Sequence, residues 1–483
     1  MGKSLRYFLA LACLIASNTA IAQNLNGAYF LDGFAYGHEM NPAKDYDRKG
    51  YFSFPALGNI TLGTRGNLGI QDVIYTNPNG DGVTSFLNPH LDVKEVMGNF
   101  EKNNNFLFDS RIELLSFGFR AFKGYNTFNL STRLNAGLKA PYELFDVMKN
   151  LQNKDYDVKD FYAQAQGWVE MGFGHSHEVG KAWRVGGKMK ILLGAARAEA
   201  NGNRLHLENT GRNRWTATVD ASVETSMKGL TWGETETKRH SPQYMEQHPK
   251  EKPTYEQVDF GNLDLDDPGV GGGGVAFDLG AEWDLGKQGL VKGLKISAAL
   301  LDLGFIKWKN TLTASNHGES FVFRGFDEAT ISDSDWSDWE EEEWDDVGTR
   351  LEDLYPLEAE KTVSKVHAIG ATLNVGVEYA LPSYDKLSFG LLSTTRMQGK
   401  YSWNEERLSV TLSPAKAFEI ALSGAVGTLG ASVGGVINVH PRGFNLFFGM
   451  DHMLGKFSKK GIPQKNNADF TFGINFPIGK SKM

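Results

Sequence analysis

From residue 128 to residue 138 the side chains alternate without a break. Phe128, Leu130, Thr132, Leu134, Ala136 and Leu138 fall on one parity, and Asn129, Ser131, Arg133, Asn135 and Gly137 on the other. Successive side chains of a β-strand point to opposite faces, so a two-residue period describes a strand with one apolar and one polar wall. The same period runs through residues 215–223, 275–283, 373–379, 387–391, 408–412, 444–450 and 470–476. A chain patterned this way along its whole length folds as antiparallel sheet.

A soluble sandwich alternates too, so the period alone does not choose between sandwich and membrane barrel. Three further features favour the barrel. Residues 161–173, 184–196 and 429–439 are as long as the ~9–11 residues a tilted strand needs to cross a bilayer. The polar parities are rich in Gly, Ser, Thr and Asn, which suits a wet or plugged lumen. Trp183, Trp232, Trp283, Trp308, Tyr379 and Tyr401 lie near strand ends, where an interfacial girdle is expected. Hairpins are visible around 123–126, 180–181 and 286–293. The strand count is about 14, and closure follows because an open edge in lipid leaves backbone groups unpaired.

The first residues set the compartment. Lys3 and Arg6 precede an apolar run over 7–16, and Ala20-Ile21-Ala22 stands before Gln23, the order of a secretory signal peptide over residues 1–22. A lipoprotein cleavage before Cys13 fits less well, because Ala10 replaces the usual branched residue. Cys13 is the only cysteine, so a disulfide scaffold and a Cys-ligated metal are excluded from the mature chain. Beyond Gln23 no stretch reaches the ~18 apolar residues of a membrane helix. With 55 Gly, 12% aromatic residues and a mean hydropathy of −0.35, the composition fits a barrel whose polar interior dilutes its apolar exterior.

Four stretches break the pattern. Residues 23–50, with Phe30, Phe34 and Tyr36, precede the wall (51–483) and are expected to form a plug-like segment or a free tail. Residues 141–151 predict a short helix, with Leu144, Val147, Met148 and Leu151 at helical spacing. Residues 233–267 are polar and predict an extramembrane loop. Residues 327–360 predict a second one, with 15 acidic residues against the single Arg350.

Motifs for chemistry fail on context. Gly430-Ala431-Ser432-Val433-Gly434 has the G-x-S-x-G spacing but lies inside an alternating strand, where no nucleophile elbow forms. Gly269, Gly271 and Gly274 precede a strand, whereas a dinucleotide fingerprint precedes a helix. His175 and His177 lack a third ligand. No catalytic residue, metal or cofactor is expected, and the acidic balance without a basic cluster argues against nucleic acid.

Several pieces resemble an uncharacterised family of Gram-negative outer-membrane barrels, similar in turn to the long-chain fatty-acid transport porins (FadL-like) and to PorV-type barrels. They are residues 23–30, Asn41-Pro42-Ala43, Pro141-Tyr142-Glu143-Leu144-Phe145, residues 172–194, 274–280, Leu301-Asp302-Leu303-Gly304, 441–451 and Gly473-Ile474-Asn475-Phe476. The resemblance implies a 14-stranded outer-membrane barrel with its N-terminal segment as a hatch, and lipid around the wall. It further implies uptake or binding of a hydrophobic small molecule. Phe30, Phe34, Tyr36, Leu144 and Phe145 are the ligand-binding candidates. The acidic loop departs from the transporter pattern, and leaves the alternative of a barrel that docks a protein partner through its loops.

Overall fold

A computed structural model describes residues 25–78, 83–211, 213–233, 235–258, 263–326, 350–351, 353–453, 456–457, 463–465 and 468–479. The signal peptide and residues 327–349 of the acidic loop lie outside them. Fourteen antiparallel strands close into one barrel. Strand β1 comes in two pieces, Gly50–Ser53 and Ile60–Gly66. Next come β2 (Asn103–Ala121), β3 (Gly124–Pro141), β4 (Tyr156–Val179) and β5 (Trp183–Asn209). Strand β6 is also split, into Trp215–Met227 and Gly272–Asp284, both paired to β5 on one side and to β7 (Leu294–Phe323) on the other. Strand β8 joins Val363–Ala368 to Ala371–Ala380. Then follow β9 (Leu387–Met397), β10 (Trp403–Ala415), β11 (Phe418–Gly427), β12 (Gly430–Val439), β13 (Asn445–Met450) and β14 (Ala468–Ile478). β14 pairs with β1, which closes the ring.

The long connections, 67–102, 142–155, 324–362 and 451–467, all lie at one end of the barrel, as in bacterial outer-membrane barrels, whose longer loops face outward. The wall is uneven. Strands β2–β7 run far past the others at the long-loop end, while β8–β14 are short. In the common lower part the outer surface is apolar: Met189, Ile191, Leu193, Val275, Phe277, Leu303, Phe305, Leu373, Val375, Phe389, Leu391 and Leu408 are all exposed. On β3 the two predicted walls are observed. Asn129, Ser131, Arg133 and Asn135 are buried in the lumen, and Phe128 and Leu130 stand on the opposite face.

Where the wall rises past the apolar band, the parity of β5 shifts twice and ends as it began. On β5 the odd positions Met189, Ile191 and Leu193 face out, and Lys188 and Lys190 face in. Opposite Gly167 and Trp168, the register slips by one residue at Ala195. A one-residue slip turns every following side chain to the other face. A second slip, at Asn203 against β6, undoes the first, so the fully buried Leu205 and Leu207 return to the face of Met189 and Ile191, and Arg204 and Glu208 are exposed. Strand 215–223 keeps its apolar parity on the outward face, where Trp215, Ala217 and Val219 are buried beneath connecting segments.

The connections cap that raised part. Helix α1 (Val93–Met97) and helix α2 (Tyr142–Lys149) pack with Leu68, Phe86 and Phe100 over its outward apolar face, the face of Phe106, Leu138 and Ala140. The Phe100 and Phe145 rings stack at 3.9 Å. Leu354, Tyr355 and Leu357 join the same core, so this end of the acidic loop is packed structure. The 228–271 excursion forms hairpins of its own, Leu230–Trp232 with Leu263–Leu265 and Thr235–Arg239 with Thr254–Val258.

Candidate functional site in the barrel lumen

Residues 25–46 contain two single 3-10 turns, Asn26–Ala28 and Gly37–Glu39, and no strand. Their partners nevertheless lie all round the wall. Asn26 N and Gly27 N donate to the Asp451 carboxylate at 2.5 and 2.8 Å, just past β13. Tyr29 hydroxyl meets Ser297 Oγ of β7 at 2.9 Å, and Gly33 N donates to Glu419 of β11 at 3.2 Å. His38 Nε2 meets Tyr51 of β1 at 2.8 Å, Glu39 pairs with Arg111 of β2 at 3.0 Å, and Asn374 of β8 donates to Met40 O at 2.9 Å. A segment with partners on six strands around a closed ring lies inside that ring. Glycines in the wall admit it. A Cβ at Gly390 would stand 2.2 Å from the Phe30 ring, and one at Gly280 2.1 Å from Asn41 Oδ1.

Above this segment lies a belt of buried charge. Asp302, on β7, accepts Lys190 at 2.5 Å, Arg133 at 3.3 Å and Arg396 at 3.5 Å. Glu170 of β4 lies between Arg111 (3.5 Å) and Arg133 (3.4 Å), and Asp278 of β6 takes Lys190 at 2.8 Å. An unpaired charge at such burial costs several kcal/mol, so the cations and carboxylates hold one another in place. Above the belt come Trp168 and Trp308 on one side and Tyr162, Tyr401 and Trp403 on the other.

The five ligand candidates therefore fall in two places. Phe30, Phe34 and Tyr36 are buried together in the lumen cluster with Tyr51 and Phe447. Leu144 and Phe145 belong to the cap on the outward face of the wall. The belt was missed from sequence, because each inward Arg, Lys, Asp or Glu stands alone in its own strand. The girdle expectation holds for Trp183 and Trp283, whose rings stack at 5.1 Å with Trp183 outward, and for Tyr379. It fails for Trp308 and Tyr401, which point into the lumen, and for Trp232, which packs on the cap. Ser432 is buried within β12, and the His175 and His177 rings are 5.3 Å apart. No group of three or more His, Cys, Asp or Glu suited to a metal occurs among the described residues.

At the clamp on Asn26 and Gly27, His452 stands between two carboxylates. Its Nδ1 meets Asp469 and its Nε2 meets Glu405 at 2.9 Å, while Arg407 bridges Glu405 (2.8 Å) and Asp451 (3.6 Å). Burial and the nearby Arg65 oppose a charged imidazole here, but Asp469 and Glu405 outweigh them and raise the His452 pKa above its ordinary 6.5. A raised pKa means that the pairing stabilises the fold fully below pH ~6.5 and is lost as pH climbs through the folded-state value. The urea midpoint of the purified barrel is therefore expected to fall on that climb, and His452→Gln to flatten the slope. An unchanged slope in the variant would place the titration elsewhere.

The model of a family of unknown function, DUF5723, matches residues 42–451. No curated protein matches the chain. Among solved structures the chain is similar to the toluene transporter TbuX of Ralstonia pickettii (9% identity, 92% of this chain and 93% of that one, TM-score 0.42). It is also similar to a FadL homologue of Pseudomonas aeruginosa (11%, 95% and 98%, 0.39) and to the toluene transporter TodX of Pseudomonas putida (7%, 96% and 96%, 0.35). The likeness is one of barrel architecture and carries no substrate with it.

Proposed function

The chain belongs to this DUF5723 family, and we propose that it is an outer-membrane barrel that binds a hydrophobic small molecule and passes it inward past a movable N-terminal hatch. The observation that carries the reading is how residues 25–46 are held. They fill the lumen through individual polar contacts and aromatic packing, with no strand pairing to the wall, so they can leave without opening the sheet. The salt-bridged belt above them hinders a free aqueous path.

The hatch is tested by tethering it. A Cβ at Gly27 would lie 2.8 Å from Asp451 Oδ1, so Gly27→Cys with Asp451→Cys places two thiols in bonding reach in a mature chain free of other cysteines. Cells carrying the oxidised pair are expected to lose uptake of labelled naphthalene or palmitate that wild-type cells show, and to regain it with reductant. Uptake that ignores the tether, or that equals that of cells lacking the protein, would end the reading. Docking of a partner is the other reading. Thr235–Arg239 is paired along one edge to Thr254–Val258, and an open edge can accept a strand from another chain. Docking would survive the oxidised tether.

A further inference from the structure

Above the belt, a cavity of about 10 Å³ is lined by Leu107, Asp109, Asn135, Gly137, Tyr401 and Trp403, among others, which is room for one oxygen atom with its hydrogen. Two buried polar atoms on its lining lack partners. Asn135 donates through Nδ2 to the Asp109 carboxylate and to Leu134 O, which fixes its amide and leaves Oδ1 without a donor. The Tyr401 hydroxyl, on the turn between β9 and β10, has no partner either. A buried polar group left unpaired costs about 1–3 kcal/mol, so both atoms call for the same missing group.

A single hydroxyl meets the need, donating to Asn135 Oδ1 and accepting from Tyr401. A carboxylate has no hydrogen for Asn135 and would set its charge beside Asp109. An alkyl or aryl carbon leaves both atoms orphaned. Leu107, Ala136 and the Trp403 ring form the apolar part of the lining, and Gln164 and Gln398 are neutral. Gly137 lets the Tyr401 ring lie on the strand backbone, since a Cβ there would stand 2.6 Å from it. Resting on the reading of a hydrophobic-solute barrel, we propose that this niche selects neutral hydrophobic molecules bearing a hydroxyl group, whose oxygen enters it.

The test compares 4-ethylphenol, ethylbenzene and 4-ethylbenzoate by equilibrium dialysis against the purified full-length barrel. 4-Ethylphenol is expected to bind about five- to tenfold more tightly than either relative, the effect of one neutral hydrogen-bonding group. Tyr401→Phe and Asn135→Leu should each bring it down to the level of ethylbenzene, with the folded band on a heat-modifiability gel unchanged. Equal binding of 4-ethylphenol and ethylbenzene to the wild type, or a preference that survives both substitutions, overturns the hydroxyl niche and leaves the hydrophobic-solute reading standing. Binding of none of the three overturns both.

Discussion

Asp302→Ala is expected to cost the barrel about 3–5 kcal/mol, the price of leaving buried cations without their partner. Three of them, Lys190, Arg133 and Arg396, converge on this one carboxylate. Asp302 also has a left-handed backbone (φ 56°) in mid-strand, and its N–H donates to Asp278 at 2.7 Å. Strain of that kind persists only where the surroundings impose it. Asn tolerates the left-handed region, so Asp302→Asn separates the charge from the backbone. It should lose less stability than Ala yet remain well below wild type. Urea unfolding followed by tryptophan fluorescence reads both, and an alanine variant within about 1 kcal/mol of wild type would mean that the belt holds itself together without its hub.

Leu205→Asp combined with Leu207→Asp should do comparable harm by a different route. Both side chains are fully buried where the connecting segments cover the raised wall. Each leucine lost from that core costs about 1.5–3 kcal/mol, and each charge forced into it several more. The sum exceeds about 5 kcal/mol, and the double variant is expected to give no heat-modifiable barrel. Arg204→Asp with Glu208→Asp, at the exposed neighbours, serves as control. Normal folding of the leucine double variant would refute a packed cover on this face.

Strand β5 also shows how far the sequence can be read. Period two is visible wherever a strand separates two unlike surroundings, and for β3 both faces and their residues follow from it. The pattern does not say what covers the apolar face. Residues 215–223 alternate as cleanly as β3, yet their apolar parity meets the cap and their polar parity the solvent. Nothing in Ala195 or Asn203 marks the two slips of β5. The capping stretch between β1 and β2 escaped because its helix, Val93–Met97, is too short to show a period.

The candidate site was legible in part. The aromatic content of residues 25–46 pointed to a segment that packs, and it packs in the lumen. Its clamp did not show, because Asn26 and Gly27 meet Asp451 across more than four hundred residues. Trp308 and Tyr401 were misplaced because an aromatic at a strand end suits an interface and a lumen equally well. Asn41-Pro42-Ala43 and the glycines at 186 and 280, noted only as pieces of a family pattern, turn out to be neighbours. A Cβ at Gly186 would lie 2.2 Å from Pro42 O.

Single cysteines along β5, spin-labelled and exposed to a lipid-soluble and a water-soluble relaxation agent, probe the wall most directly. The account predicts that positions 189, 191 and 193 respond to the lipid-soluble agent, that 188 and 190 respond to it weakly, and that 204 and 208 respond to the water-soluble one. Response of 189, 191 and 193 to the water-soluble agent alone would contradict a lipid-embedded barrel.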